Sequence, residues 1–180
     1  TTFSHLSAHR ALLREVQTFA VNLSGQSLAD EDFLTFVEAQ FARHPDLPQH
    51  ICFEITETAA IANVTLARQF IERLKKLGCR FSLDDFGSGL SSFAYLRNLA
   101  VDYVKIDGSF VRTIDTDVID LAMVRSINDI GHLMGKKTIA ECVESEAVRD
   151  QLAELGVEFA QGFAIDMPRP LEQLQAIETV

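Results

Sequence analysis

The stretch FSLDDFGSG, residues 81–89, ends an apolar, strand-like run in two adjacent carboxylates, Asp84 and Asp85, and passes at once into a glycine-rich loop. Two like charges side by side are costly unless something positive sits between them. At the end of a buried strand the fitting counter-charge is a divalent cation, because magnesium and manganese are hard ions that prefer oxygen ligands. Taken alone, the pair is better read as a solvated Asp-Asp turn with a glycine for chain reversal. The rest of the chain overturns that reading.

On either side of this stretch one pattern recurs: a short β-branched run, a polar segment, then an amphipathic helix. The strand candidates are Thr18–Leu23, Ile51–Thr56, Arg80–Asp84, Tyr103–Ile106, Thr138–Val143 and Glu158–Gln161. Between them, residues 64–77 place Ala67, Phe70, Ile71 and Leu74 on one helical face and stop at Gly78. Met123, Ile127, Ile130 and Met134 repeat at helical spacing before Gly135, and a further helix carrying Ala147, Val148, Leu152 and Leu155 ends at Gly156. Strands alternating with helices of this length predict a parallel sheet with right-handed crossovers.

The strand candidates finish at or near Asn22, Glu54, Asp84, Lys105, Glu141 and Gln161, each polar within or just after an apolar run. A buried strand has no structural use for such residues. In a β/α barrel, by contrast, the C-terminal strand ends form the active-site rim, where side chains from several strands converge. An open doubly wound sheet would gather its ligands at one switch point instead. The fold class predicted is therefore α/β, a TIM-type β/α barrel that is incomplete, with about six of the usual eight β/α units. Residues 1–180 read as one domain lacking its N-terminal part, and SHLSAHRALLREVQ, residues 4–17, as the second half of a helix.

Composition narrows the function classes. With 180 residues, 47% hydrophobic and 23% charged, the chain suits one globular domain with a proper core. Its formal net charge of −10 argues against binding DNA or RNA polymers, which requires a basic stripe. No apolar run has membrane-spanning length and the N-terminus lacks a signal-peptide pattern, so the expected location is cytoplasmic, without membrane contact by this segment. Cys52, Cys79 and Cys142 lack CxxC spacing and fall in apolar runs, which predicts reduced core residues. His5, His9, His44, His50 and His132 show no metal-ligand spacing and are expected at the surface or at helix ends.

The motifs VNLS (21–24), FEITET (53–58), SLDDFGSGLSS (82–92), VKIDGSFV (104–111), IAECVES (139–145) and AQGF (160–163) together resemble, in order and spacing, the EAL domain of cyclic di-GMP phosphodiesterases. The resemblance implies hydrolysis of cyclic di-GMP to linear pGpG with two divalent ions, Mg2+ or Mn2+, as cofactors. It implies Asn22, Glu54 and Asp84 as ligands of the first ion, with Asp84 bridging to a second that Asp85 also holds and Glu141 near the metal-bound water. Lys105 resembles the lysine that orients the water and reaches the scissile phosphate, and Gln161 the amide that steadies this network. Glu57 resembles the glutamate anchoring the loop Asp85, Phe86, Gly87, Ser88 and Gly89, which couples the metal site to dimerisation. Two ions roughly 3.5–4 Å apart activate water and stabilise both oxygens of an in-line phosphodiester displacement. Without them, converging carboxylates would repel a dianionic dinucleotide.

Each residue also has a plainer reading. Asn22 alone reads as a cap. Lys105 in YVKID could pair with Asp107, or form a Schiff base in an aldolase-type barrel, which would explain none of the carboxylates. Glu141 and Gln161 alone would pass as ordinary strand-end polar residues.

Departures from the family pattern are specific. The glutamate of the Glu-Ala-Leu motif has no counterpart in residues 1–180, so this segment alone is expected to be inactive. Ser88 and Leu90 replace the threonine and tyrosine of the usual DDFGTGYSS, Cys142 stands where glycine is usual, and Gly108 where a basic residue commonly follows KID. The alternative function is a degenerate EAL domain acting as a cyclic di-GMP receptor or regulatory dimerisation module. In either case the resemblance implies a homodimer through the loop after Asp85 and the following helices, and fusion to sensory or GGDEF-type domains.

Overall fold

Ile51, Phe53 and Ile55 alternate with Cys52 and Glu54, and this β-branched and aromatic run forms a strand with both faces covered. In the computed structural model, which describes residues 2–88, 93–170 and 173, it is the second of six parallel strands. These are β1 (Phe19–Leu23), β2 (Ile51–Thr56), β3 (Arg80–Phe86), β4 (Tyr103–Ile106), β5 (Lys137–Ala140) and β6 (Phe159–Ala160). They lie in the order β1-β2-β3-β4-β5-β6, each parallel to its neighbours. Sequential order without reversal is the wall of a β/α barrel rather than a doubly wound sheet. The chain forms a half-barrel.

Helices α1 (Thr2–Ala8) and α2 (Leu12–Glu15) precede β1, and α3 (Gly25–Leu28) and α4 (Glu31–Arg43) lead to β2. Next come α5 (Glu57–Ala62) and α6 (Val64–Lys75), α7 (Phe93–Leu96), α8 (Gly108–Val111), α9 (Val118–Leu133) and α10 (Glu146–Glu154). Side-chain caps start the longer ones: Asp30 accepts from Phe33 N at 3.0 Å, Asn63 from Leu66 N at 3.1 Å and Ser145 from Val148 N at 3.2 Å. On α6, Ala67, Phe70, Ile71 and Leu74 are all buried, as their spacing predicts. Between this helix layer and the sheet, Phe81 packs 5.6 Å from Phe53 and 6.3 Å from Phe70, centroid to centroid.

Several expectations need correction. The opening segment is two short helices rather than one helix end. Strand β5 stops at Ala140 and does not reach Val143, because Cys142 takes a left-handed conformation, φ +53°. Cys142 is accordingly half-buried outside the sheet, whereas Cys52 and Cys79 are core residues whose thiols burial pushes up to about 12. On α9 the buried stripe is Val124, Ile127, Asn128 and Gly131, so of the four residues that repeat at helical spacing Ile127 is buried, Ile130 and Met134 are half-buried and Met123 is exposed.

A buried polar knot explains that rotation. Asn128 donates to Leu155 O at 2.9 Å and accepts from the Thr138 hydroxyl at 2.5 Å. Gly131 clears space beside Thr138, whose Cγ2 would lie 3.1 Å from an added Cβ. Glu158 completes the knot, taking Thr138 N at 2.9 Å and standing 3.0 Å from His132 Nε2. Burial alone would raise the Glu158 carboxyl, but the Thr138 amide, His132 and the Thr138 hydroxyl outweigh it and hold the group below the usual range. A depressed carboxylate stabilises the fold above its unfolded pKa, and that contribution is lost as pH falls through the folded value. Glu158→Gln is therefore expected to unfold more readily than the parent at pH 7, with the difference shrinking in urea melts as pH falls below the ordinary glutamate range.

No helix among the described residues is long and apolar enough to cross a membrane.

Candidate metal centre at the strand ends

Parallel register brings the C-terminal strand ends level: Asn22 lies opposite Glu54, and Thr56 opposite Asp84. Alternation then turns Glu54, Asp84 and Lys105 to the inner, concave face, while Ile55, Leu83 and Ile106 pack outward under the helices. Lys105 is the hub. Its Nζ lies 2.7 Å from Asp84 Oδ1, 2.8 Å from Glu141 Oε1 and 3.3 Å from Glu54 Oε1, and the side chain is 3% exposed.

Three acids around one ammonium leave an excess of negative charge in a poorly solvated place; the Glu54, Asp84 and Glu141 side chains are 10%, 13% and 17% exposed. Burial raises the carboxyls of both Glu54 and Glu141, against the opposing pull of Lys105. Asp85 is also raised, by burial and then by its neighbour Asp84. Burial works against the charge on Lys105 too, but the Asp84, Glu141 and Glu54 carboxylates hold its ammonium well above the ordinary lysine range.

Asp84, Asp85 and Glu141 each offer a carboxylate oxygen within 4.8 Å of the others. Asp84 Oδ1 is buried and lies 2.7 Å from the Lys105 ammonium. An all-oxygen donor set carrying more negative charge than one ammonium balances fits a hard divalent cation. Asp85 enters this set because its backbone is left-handed, φ +55°, where the pairing of β3 with β4 slips between Leu83 and Phe86. That irregularity lets two consecutive acids serve one site when a regular strand would turn them to opposite faces.

Glu57 lies one layer away, as the first residue of α5 and 2% exposed. Thr56 caps that helix by accepting from Ala59 N at 3.3 Å. The Glu57 carboxylate takes Gly87 N at 3.0 Å and the Tyr95 hydroxyl, so it ties the start of the loop to α7. Tyr95 is absent from the sequence-based set; its only signal is a phenol in the short apolar turn FAYL. Burial and the Glu57 hydrogen bond push its hydroxyl pKa well up.

Other expected site residues lie differently. Phe86 belongs to the core, not to a ligand-facing loop: it is fully buried, ends β3 and packs 5.5 Å from the Phe93 ring. Ser88 turns back, its hydroxyl donating to Asp85 O at 2.9 Å. Gly89 lies outside the described residues, as do Leu90, Ser91 and Ser92. Asn22 is exposed on β1 beside Glu54, and the Gln161 side chain is exposed at the end of β6. Between these edges the concave face is an open trough of about 470 Å3 lined by Ala20, Cys52, Glu54, Tyr103, Ile139 and Gln161 among others.

A family model described as "EAL domain" matches residues 1–168. The chain is 47% identical over 153 residues to cyclic di-GMP phosphodiesterase PdeB of Shewanella oneidensis, covering 84% of this chain and 18% of that protein. It is 35% identical over 180 residues to cyclic di-GMP phosphodiesterase PdeF of Escherichia coli, covering 99% of this chain and 24% of that protein. The chain thus spans a quarter or less of the length of these curated relatives. Among solved structures, the PaMucR phosphodiesterase in its c-di-GMP complex matches with a TM-score of 0.86 at 33% identity, over 96% of this chain and 72% of that one. The EAL domain of Mycobacterium smegmatis DcpA matches with a TM-score of 0.82 at 29% identity, over 92% of this chain and 75% of that one.

Proposed function

This chain belongs to the EAL domain family, and from that premise we propose that it forms part of a metal-dependent phosphodiesterase domain that hydrolyses cyclic di-GMP to linear pGpG. The observation that carries the reading is the convergence of Glu54, Asp84 and Glu141 on Lys105, with Asp85 beside them. A binding pocket for a dianionic dinucleotide has no need of so many acids; a hydrolytic centre that works through divalent ions does.

Asn22, Glu54, Asp84, Asp85 and Glu141 would hold the two ions, with Mg2+ or Mn2+ as the hard cations that suit oxygen donors. When bound, the ions supply charge neutralisation at the phosphate and lower the pKa of water to make it a nucleophile. The residues of the chain do the rest. Lys105, kept protonated by its carboxylates, holds the attacking water in line and donates to a non-bridging oxygen of the scissile phosphate. Water oxygen adds to phosphorus and releases a proton to solvent as the bond from phosphorus to the 3′ oxygen of one guanosine breaks; that oxygen takes up a proton, and the ring opens to pGpG. Glu141, 2.8 Å from Lys105, helps orient the water, and Gln161 steadies it by hydrogen bonding. Glu57 holds Gly87 and thereby fixes the loop of Asp85, Phe86, Gly87, Ser88 and Gly89 beside the centre.

The partners proposed are cyclic di-GMP, a second copy of the chain, and sensory or GGDEF-type domains on the same polypeptide in the cytoplasm. Val118, Ile119 and Met123, exposed on α9, support dimerisation through the loop after Asp85 and the helices that follow. The deciding experiment is an assay of the full-length protein with cyclic di-GMP and either Mg2+ or Mn2+. Linear pGpG released in a chelator-sensitive manner is the expected product. Tight binding of the dinucleotide with no turnover in either metal would replace the enzyme by a receptor.

A further inference from the structure

Gly108 is the first residue of α8, directly after Asp107, whose carboxylate caps the helix by accepting from Ser109 N at 2.7 Å. It is buried and its backbone is not left-handed, so dihedral freedom does not require glycine there. Space does. A Cβ at 108 would meet Cys142 Sγ at 2.4 Å and Cys142 Cβ at 2.7 Å. Rotating the thiol would relieve the first clash, but the second is independent of the Cys142 rotamer.

Cys142, in turn, has the left-handed backbone that favours glycine, yet carries a side chain. It is held there from both sides: Glu141 N donates to Ile106 O at 3.3 Å and Val143 N to Gln161 O at 3.0 Å. Arg112, one turn along from Gly108, reaches Cys142 Sγ at 3.4 Å and Glu144 Oε1 at 3.2 Å. The side chain thus fills the volume that a residue-108 side chain would need, at the junction between the exits of β4 and β5. Those exits carry Lys105 and Glu141, 2.8 Å apart.

We propose that Cys142 and Gly108 are a matched steric pair in which Cys142 acts as a positioning residue, wedged over the glycine so that Glu141 is held against Lys105. The consequence for turnover rests on the role given to Glu141 above; the steric coupling does not. A methyl at 108 pushes the 141–143 turn outward and draws Glu141 from Lys105. Removing the Cys142 side chain loosens the same turn, and making both changes lets the new methyl occupy the vacated space.

The test is a double-mutant cycle in the full-length protein: Gly108→Ala, Cys142→Gly and the pair together, each assayed for kcat and KM with cyclic di-GMP and Mn2+ and for its thermal midpoint. Gly108→Ala is expected to lower kcat about tenfold or more with little change in KM, because a displaced catalytic group costs rate more than binding. Cys142→Gly should lose several-fold, and the double variant should recover to within about threefold of the parent. If Gly108→Ala does not fold, recovery of folding in the double variant reads out the same pairing, and the kcat loss of Cys142→Gly, reversed in Cys142→Ser, reads out positioning. Losses that multiply in the double variant, or a Gly108→Ala protein equal to the parent, would overturn the proposal. If the parent itself does not hydrolyse cyclic di-GMP, the function fails, while the midpoints of the four proteins still decide the pair.

Discussion

Lys105→Met is expected to cost the full-length protein about a thousandfold or more in kcat and, measured without divalent metal, about 3–5 kcal/mol of stability. The stability loss follows from what the side chain leaves behind. Glu54, Asp84 and Glu141 stay in place with little solvent, and the cation that each of them approaches within 3.3 Å is gone. Methionine fills the volume, so the effect is electrostatic rather than a cavity. The pH dependence has a definite sign. The contribution of Lys105 in the parent is fully present below the ordinary lysine pKa and is lost only as pH rises through its raised folded value, so it is constant between pH 6 and 9. Glu54 and Glu141, raised by burial, destabilise the fold above their folded pKa and are relieved as pH falls through it. Without Lys105 both rise further, so the variant should regain stability relative to the parent as the pH of a series of urea melts in EDTA is lowered. Added Mn2+ should restore much of the loss. A variant as stable as the parent throughout that series would show that the acids do not depend on Lys105.

Asp84→Ala separates catalysis from stability in the opposite way. Asp84 lies closest to Lys105 and, with Glu141, is shared by the ion-pair cluster and the carboxylate triad. Its removal lowers the negative charge around Lys105 while Glu54 and Glu141 still pair with the ammonium. The metal-free midpoint should therefore stay within about 4 °C of the parent. Metal response should not survive. A ligand at a hundred times its Kd stabilises the parent by about 2.7 kcal/mol, and that Mn2+-dependent shift should be absent in Asp84→Ala. Turnover should fall by about a thousandfold or more under the bridging role proposed for Asp84, because such a ligand serves both ions of a two-metal displacement. Ordinary hydrolysis by Asp84→Ala would sink the assignment of this centre.

Much of this architecture is legible along the chain. Each strand candidate overlaps an observed strand, because β-branched and aromatic runs bounded by glycines and polar residues leave few alternatives at that length. The side chains of α6 are buried as their spacing predicts, since that helix carries one uninterrupted apolar stripe. On α9 the same reasoning selects a face turned partly away from the core, with Ile127 common to both. There Asn128 and Gly131 are core residues because of Thr138 and Leu155, and hydropathy gives no account of a buried amide that finds its partners on other elements.

The site divides in the same manner. Acids, a lysine and an amide at successive strand ends identify a rim, and the motif spacing identifies the family. Sequence by itself therefore determined the element order, the sheet's parallel sense and the set of polar residues available for chemistry, because these depend on local periodicity and chain order. Only the tertiary structure decided which members of that set meet. Glu54, Asp84 and Glu141 close on Lys105, Phe86 withdraws into the core, and Asn22 and Gln161 stand exposed on the outer strands. It also decided that two departures from the family pattern, Gly108 and Cys142, occupy one volume. Periodicity states which direction a side chain leaves its own strand or helix. What it meets there is fixed by register, by the left-handed turns at Asp85 and Cys142, and by packing between residues far apart in the chain.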